Sequence, residues 1–366
     1  MPKSSSRVSI AFALLTLCSA NAALADHEHA SNEFEVFLAA EAIHGSGQSH
    51  AGDDDTWFNA DFVFGLTQHK FRVFGEFYVT PDEHDLERLQ FGYEFVPETV
   101  LWLGRFHQPG SAWNTEHHHG RYLQTAITRP FIERWEDEQG LLPQHITGAL
   151  FESRRPVGTD GAIQFAGGAG AGPGLTDNAL DPIDLINHNP GEHRLSLTAR
   201  VAYLPEYTGA SSFGLLYGHD HIATNSAPVV NALNSHNAVL SIAGAYGDWN
   251  SERWRIIGAV YYVDVALDPT ARDESFISGY VQAERQLPHG LTVFGRIEDS
   301  ARMQESSYVA LFEDHDNDID IALRRNALGL RWDYARRQAL TVELSHVVSL
   351  HQQSDEVRLQ WSAVVP

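Results

Sequence analysis

From residue 33 to the C-terminus, apolar and polar side chains alternate in short runs separated by breaks. In the run 33–43, Phe34, Val36, Leu38, Ala40 and Ala42 share one face. In 56–65, Phe58, Ala60, Phe62 and Phe64 alternate with Asn59 and Asp61. In 71–79, Phe71, Val73 and Phe77 oppose Arg72 and Glu76; in 88–95, Leu89, Phe91, Tyr93 and Phe95 oppose Arg88, Gln90 and Glu94. A period of two sends successive side chains to opposite faces of a strand, so each run predicts a strand with one apolar and one polar face. Weaker runs extend the series at 100–107, 146–153, 162–169, 194–204, 212–219, 238–246, 253–264, 276–285, 291–298, 321–332, 339–347 and 356–365, about sixteen in all.

The breaks also alternate. Short turns at 66–69, 97–98, 247–250, 287–290 and 334–337 join an even strand to the next odd one, and the long connections join odd to even. This predicts an all-β fold, a closed antiparallel barrel of about sixteen strands with tight turns at one end and long loops at the other. A closed barrel satisfies every backbone polar group within a bilayer, so such a chain can span a membrane with an apolar outside and a polar lumen. Trp249 and Trp332 beside the short turns, and Trp57 at the opposite rim, read as interfacial girdle residues.

Residues 1–25 read as a secretory leader: Lys3 and Arg7, then the apolar 10–17, then Ala23-Leu24-Ala25 as a cleavage site. Leu17 before Cys18 argues against a lipoprotein anchor, and cleavage after Ala25 leaves residues 26–366 without cysteine. The formal charge of −23 argues against nucleic-acid binding. Beyond the leader Lys70 is the only lysine, so the positive charge is arginine, which holds carboxylates in bidentate pairs.

The connection 108–145 is the long one in third position, and it is rich in Trp, His, Arg and carboxylates rather than low in complexity. It carries Trp113-Asn114, Glu116-His117-His118-His119-Gly120-Arg121, Arg129-Pro130, Glu133-Arg134-Trp135-Glu136-Asp137-Glu138 and Pro143-Gln144-His145. With the strand rhythm, this segment resembles the bacterial outer-membrane porins. Its W-N, H-H-G, R-P and E-D pattern is similar to proteins allied to the phosphate-selective porin group. The resemblance implies a third loop (108–145) folded into the lumen as a constriction, passage of small hydrophilic solutes or ions, contact with outer-membrane lipid and lipopolysaccharide, and a homotrimer. One departure is the end Trp361-Ser362-Ala363-Val364-Val365-Pro366, where porin chains usually finish on an aromatic residue.

Charges on a narrow wall select ions. The constriction candidates are Glu116, His117, His118, His119, Arg121, Arg129, Glu133, Glu136, Asp137 and Glu138, faced by strand arginines Arg72, Arg88, Arg105, Arg194, Arg200, Arg296 and Arg358. The same arginines could equally serve to neutralise loop carboxylates and fix the loop to the wall.

The histidines offer an alternative, an outer-membrane protein that binds or takes up zinc through His107, His117, His119 and His145. Such a site needs three or four ligands converging at about 2.1 Å, and no zinc spacing motif is present. Asp26-His27-Glu28-His29 and His219-Asp220-His221 are further His/acid tracts. The glycine-rich 167–174 reads as a flexible outer loop, and the carboxylates of 313–320 and 53–55 as solvated loops without a complete calcium motif. Ser345 and His346 are strand neighbours facing opposite sides, and no G-x-S-x-G occurs, so the chain is read as a channel without enzymatic activity or a required cofactor.

Overall fold

The computed structural model describes residues 30–45, 55–81, 84–111, 113–117, 120–136, 139–176, 179–186, 191–225, 237–268, 272–312 and 321–366. The leader, the tract 26–29, Asp53, Asp54 and 313–320 lie outside them. The strands are β1 (Ala30–Gly45), β2 (Asp55–Gln68), β3 (Phe71–Val79), β4 (His84–Val96), β5 (Thr99–His107), β6 (His145–Val157), β7 (Gly161–Ala171), β8 (Gly174–Thr176), β9 (Ala179–Asp181) and β10 (Leu195–Leu204). They continue with β11 (Ser212–Ala223), β12 (Asn237–Asn250), β13 (Trp254–Asp268), β14 (Arg272–Leu287), β15 (Leu291–Ala301), β16 (Ala322–Ala335), β17 (Gln338–Ser349) and β18 (Gln353–Val365). Sixteen of these close an antiparallel barrel, and β8 and β9 form a separate small ladder in an outer loop. β1 seals against β18, from Val36 opposite Val365 to Gly45 opposite Glu356, so no edge strand is left in the barrel.

All sixteen expected strands are present, and half of them run longer at both ends. The turns at 66–69 and 334–337 shrink to the two-residue hairpins His69-Lys70 and Arg336-Arg337, and Pro97-Glu98 is the two-residue turn expected, with φ of 58°, 64° and 58° at His69, Arg337 and Glu98. Such tight reversals favour left-handed backbone. At the other end the connections 269–271 and 350–352 are short as well, which corrects the expectation that every odd-to-even connection is long. Above the bilayer the outward face no longer needs apolar residues, so the alternation fades while the hydrogen-bonded ladder continues.

The glycine-rich 167–174 is another correction, because Gly167 to Ala171 belong to β7 and pair with both β6 and β10. A Cβ on Gly168 would lie 2.9 Å from the Phe106 ring. One on Gly170 would lie 2.4 Å from the Thr147 carbonyl oxygen, so these glycines permit close approach rather than flexibility.

Outward positions are apolar and uncovered: Phe71 is 65 % exposed, Leu215 67 % and Ile297 64 %. Apolar surface repeated around every wall of a soluble protein would drive association, whereas lipid covers it. Trp249, Trp254, Trp332 and Tyr334 are exposed beside the short turns, as an interfacial girdle requires. Trp57 is different: it faces inward, with the Arg121 guanidinium 5.3 Å from its ring centroid.

The inner face is not uniformly polar. On β11–β15 it carries Leu216, Ile242, Ile257, Tyr261, Val263, Phe276 and Phe294. These pack against Trp113, Phe131, Leu141 and Leu142 of the connection 108–144, and against Met303, Tyr308 and Phe312 of the connection 302–321. The inner faces of β1–β5 and β16–β18 carry arginines, carboxylates and amides instead, among them Asp61, Glu76, Arg88, Arg325, Glu343 and Gln360.

Candidate functional site

The connection 108–144 is tied by hydrogen bonds to inward-facing side chains across the barrel. Arg200 Nη1 donates to the Gly110 carbonyl at 3.3 Å, and Gln108 Nε2 donates to Asp220 at 3.0 Å. The Ile127 and Thr128 N–H groups donate to Glu343 of β17 at 2.8 and 3.2 Å. The Phe131 N–H donates to Glu298 of β15 at 2.7 Å, and Thr125 Oγ1 donates to Glu284 of β14 at 2.7 Å. In return, Arg296 donates to the Thr128 carbonyl at 2.6 Å and Arg331 to the Tyr122 carbonyl at 2.7 Å. A segment whose only regular structure is three single helical turns has few internal partners for its backbone groups, so side chains of the wall supply others.

Within the connection, Glu133 is fully covered and accepts from Ser111 at 2.6 Å, Tyr261 at 2.5 Å and Tyr280 at 3.2 Å. Burial raises the pKa of its carboxyl above the usual carboxylate value; these hydrogen bonds and the Arg129 charge oppose the shift without cancelling it. Arg129 binds the Glu133 carbonyl and Asn114 Oδ1, each at 2.9 Å, and lies 4.0 Å above the Trp135 ring.

Several of the expected pore residues line two open spaces inside the barrel. One cavity of about 630 Å³ lies among the connection 120–134 and the ends of β1, β2, β16 and β18, and its wall carries Glu41, Arg121, Arg129, Arg134, Arg325 and Arg358. Another of about 440 Å³ opens toward the short turns and is lined by Arg88, Gln90, Trp102, Asn114, Arg154 and Arg200. Arg358 bridges Glu41 at 2.8 Å and Glu356 at 3.1 Å, so part of its charge is neutralised on the wall.

Other expected residues pair locally. Arg72 bridges Glu94 at 2.9 Å, Arg88 bridges Glu76 at 2.5 Å, and Arg296 bridges Glu298 at 2.8 Å. Arg105 is buried against Asp85 and Glu87 at 2.8 and 3.8 Å. Arg194 precedes β10 and pairs with exposed Glu192 at 3.1 Å, so it is a loop residue rather than a strand arginine. Glu116 sits in a single π turn, Trp113–His117, while His118, His119, Asp137 and Glu138 lie outside the described residues.

Of the four candidate histidines, His119 lies outside the described residues and His117 stands apart from the other two. His117 lies with Nε2 3.2 Å from Arg255 and its ring edge-on to Trp113, a cationic setting unsuited to a metal ligand. His107 and His145 do meet, joined by Glu87 of β4, and among the described residues these three alone could share an ion. The sequence reading missed Glu87. It also missed Arg325, Arg331, Glu284, Glu298 and Glu343, whose alternation with outward residues such as Leu328, Leu330 and Trp332 marks them as inward-facing.

No protein-family model matches the sequence, and neither does any curated protein. Solved structures do match in shape. The anion-selective porin from Comamonas acidovorans superposes with a TM-score of 0.59 at 11 % identity, over 92 % of this chain and 100 % of that one. The outer membrane channel DcaP of Acinetobacter baumannii gives 0.58 at 11 % identity, over 93 % and 99 %. OmpF of Salmonella typhi, solved with daunomycin, gives 0.54 at 11 % identity, over 90 % and 97 %. Identity this low speaks for architecture alone, and the architecture agrees with the apolar outer wall and the tight-turn end: the chain has the barrel fold of the bacterial outer-membrane porins.

Proposed function

We propose that the protein is an outer-membrane channel for passive diffusion of small hydrophilic solutes, with the connection 108–144 setting its narrow region. The observation that carries this reading is the anchoring of main-chain groups of that connection to side chains of β15, β16 and β17, beside a cavity of about 630 Å³. A backbone held this way is a fixed obstacle that leaves a defined passage. The wall of that cavity carries five guanidinium groups, of which Arg358 pairs with Glu41 and Glu356 and Arg325 lies 3.9 Å from Glu298, and this excess of guanidinium over carboxylate favours anions. The strongly negative net charge of the whole chain does not oppose this, because screening confines exposed charges to within about 10 Å while the lumen field is set by its own wall. The similar structures lend no support to zinc uptake.

Planar-bilayer recording of the purified, folded protein tests the proposal. Discrete conductance steps, with a reversal potential displaced toward anions in a salt gradient, are the expected result. Repeated insertions without steps overturn the channel reading, and a cation-side reversal potential overturns the anion preference.

A further inference from the structure

The two ends of the connection 108–144 meet in a buried polar cluster that solute passage does not explain. His107 closes β5, His145 opens β6, and the two are opposite one another in the ladder. Their rings are 4.7 Å apart, edge to face. Glu87 reaches in from β4, and one ligand atom each of Glu87, His107 and His145 lies within 4.8 Å of the others, all three residues being buried. His145 Nε2 is 2.9 Å from the Glu87 carboxylate.

The surroundings fit a ligand set. His145 Nδ1 is held by the Glu136 carboxylate. Glu136 is itself fixed by the N–H groups of Gln144 at 2.6 Å and His145 at 3.1 Å. A carboxylate on the far nitrogen is how metal-ligating imidazoles are oriented, leaving Nε2 for the ion. Trp135 lies over His107 with ring centroids 4.5 Å apart and helps exclude water. Charge counts the same way. Asp85, Glu87 and Glu136 bring three carboxylates, and Arg105 brings one guanidinium, 2.8 Å from Asp85 and 3.8 Å from Glu87. With neutral imidazoles, as metal ligation requires, these groups sum to two negative charges. One divalent ion balances both.

We propose that Glu87, His107 and His145 bind a divalent transition-metal ion, with Glu136 as the positioning residue, and that the ion clamps the return of the connection 108–144 to the barrel wall. Two imidazoles and one carboxylate suit zinc, with a fourth position left for water. The ion is a structural clip and not a cargo. The inference is independent of the channel reading.

Calorimetric titration of the folded full-length protein, stripped with chelator in detergent, with zinc chloride tests it. The expected result is one ion per chain. His107→Ala and His145→Ala each weaken binding at least about 100-fold, and Glu136→Gln weakens it about 10–100-fold. His219→Ala, in the half-buried pair with His221, leaves it unchanged. Circular dichroism verifies the β-structure of each variant, and if His145→Ala fails to fold, Glu136→Gln and His107→Gln decide. Wild-type protein that takes up no zinc, or uptake unaltered by His107→Ala, overturns the proposal. Protein that conducts without binding zinc removes this inference alone, whereas binding without conductance removes only the channel.

Discussion

Ile127 and Glu343 are 216 residues apart in the chain, yet the N–H of Ile127 donates to the Glu343 carboxylate at 2.8 Å. Glu343 also accepts from the N–H and hydroxyl of Thr128 and from Ser345, and it is completely covered. This one side chain therefore fastens the middle of the connection 108–144 to β17. Hydrogen bonds to a charged group contribute about 1.5–3 kcal/mol each. Glu343→Ala should release the segment, raise single-channel conductance and current noise, and lower thermal stability by at least one such bond. Unchanged conductance and melting would show that the connection is held elsewhere.

Glu133 makes the same attachment dependent on pH. Its folded-state pKa is raised above the ordinary value of 4.5 by burial. The folded protein therefore binds more protons than the unfolded chain between the ordinary and the raised value. The stabilisation from this group is complete below the ordinary value and is lost as pH rises through the raised one. Melting curves across pH should show wild type losing stability relative to Glu133→Gln over that window. A constant difference between the two proteins at all pH values would refute the assignment.

Arg121 and Arg134 both line the larger cavity. Replacing a fixed cation by an anion reverses its local field, so Arg134→Glu should move the reversal potential toward cations, and Arg121→Glu with it. Arg324, paired with Asp299 at 3.2 Å on exposed surface, is the control. Arg324→Glu should leave selectivity where it was, and an equal shift from all three would point to a mouth effect instead of a lumen effect.

Leu215 is outward-facing, 67 % exposed and the fourth residue of β11. In lipid, Leu215→Arg should cost about 2–4 kcal/mol of folding free energy, measured by denaturant titration in vesicles. On a water-facing surface the same change would cost almost nothing, so the experiment also tests whether this wall meets lipid.

Alternation alone was enough to locate every barrel strand, because in-out periodicity is a local property that each strand repeats. Phe91 against Gln90 or Leu330 against Arg331 declares its face without knowledge of a neighbour. The ends of strands were harder to read, since past the bilayer the outward face is polar too: 272–275 and 353–355 are paired strand with no apolar signature. The glycines of β7 misled for the opposite reason. Their role is contact with Phe106 and with the backbone of β6, and neither lies nearby in sequence.

Of the candidate site, the sequence identified the segment 108–145 and most of its charged residues, because a long, ordered-looking, polar connection in a barrel is conspicuous. It also supplied His107 and His145 as ligand types. What it could not supply is convergence. Barrel closure puts Glu343 beside Ile127, Tyr261 and Tyr280 beside Glu133, and Glu87 between two histidines, while it carries His117 away to Arg255. The sequence by itself determined a membrane-compatible, sixteen-stranded wall, since each strand's two faces are written in its own residues. Only the tertiary structure decided that the connections 108–144 and 302–321 pack on the inner face of β11–β15 and which charges face one another, because those pairings depend on register and curvature summed around the whole ring.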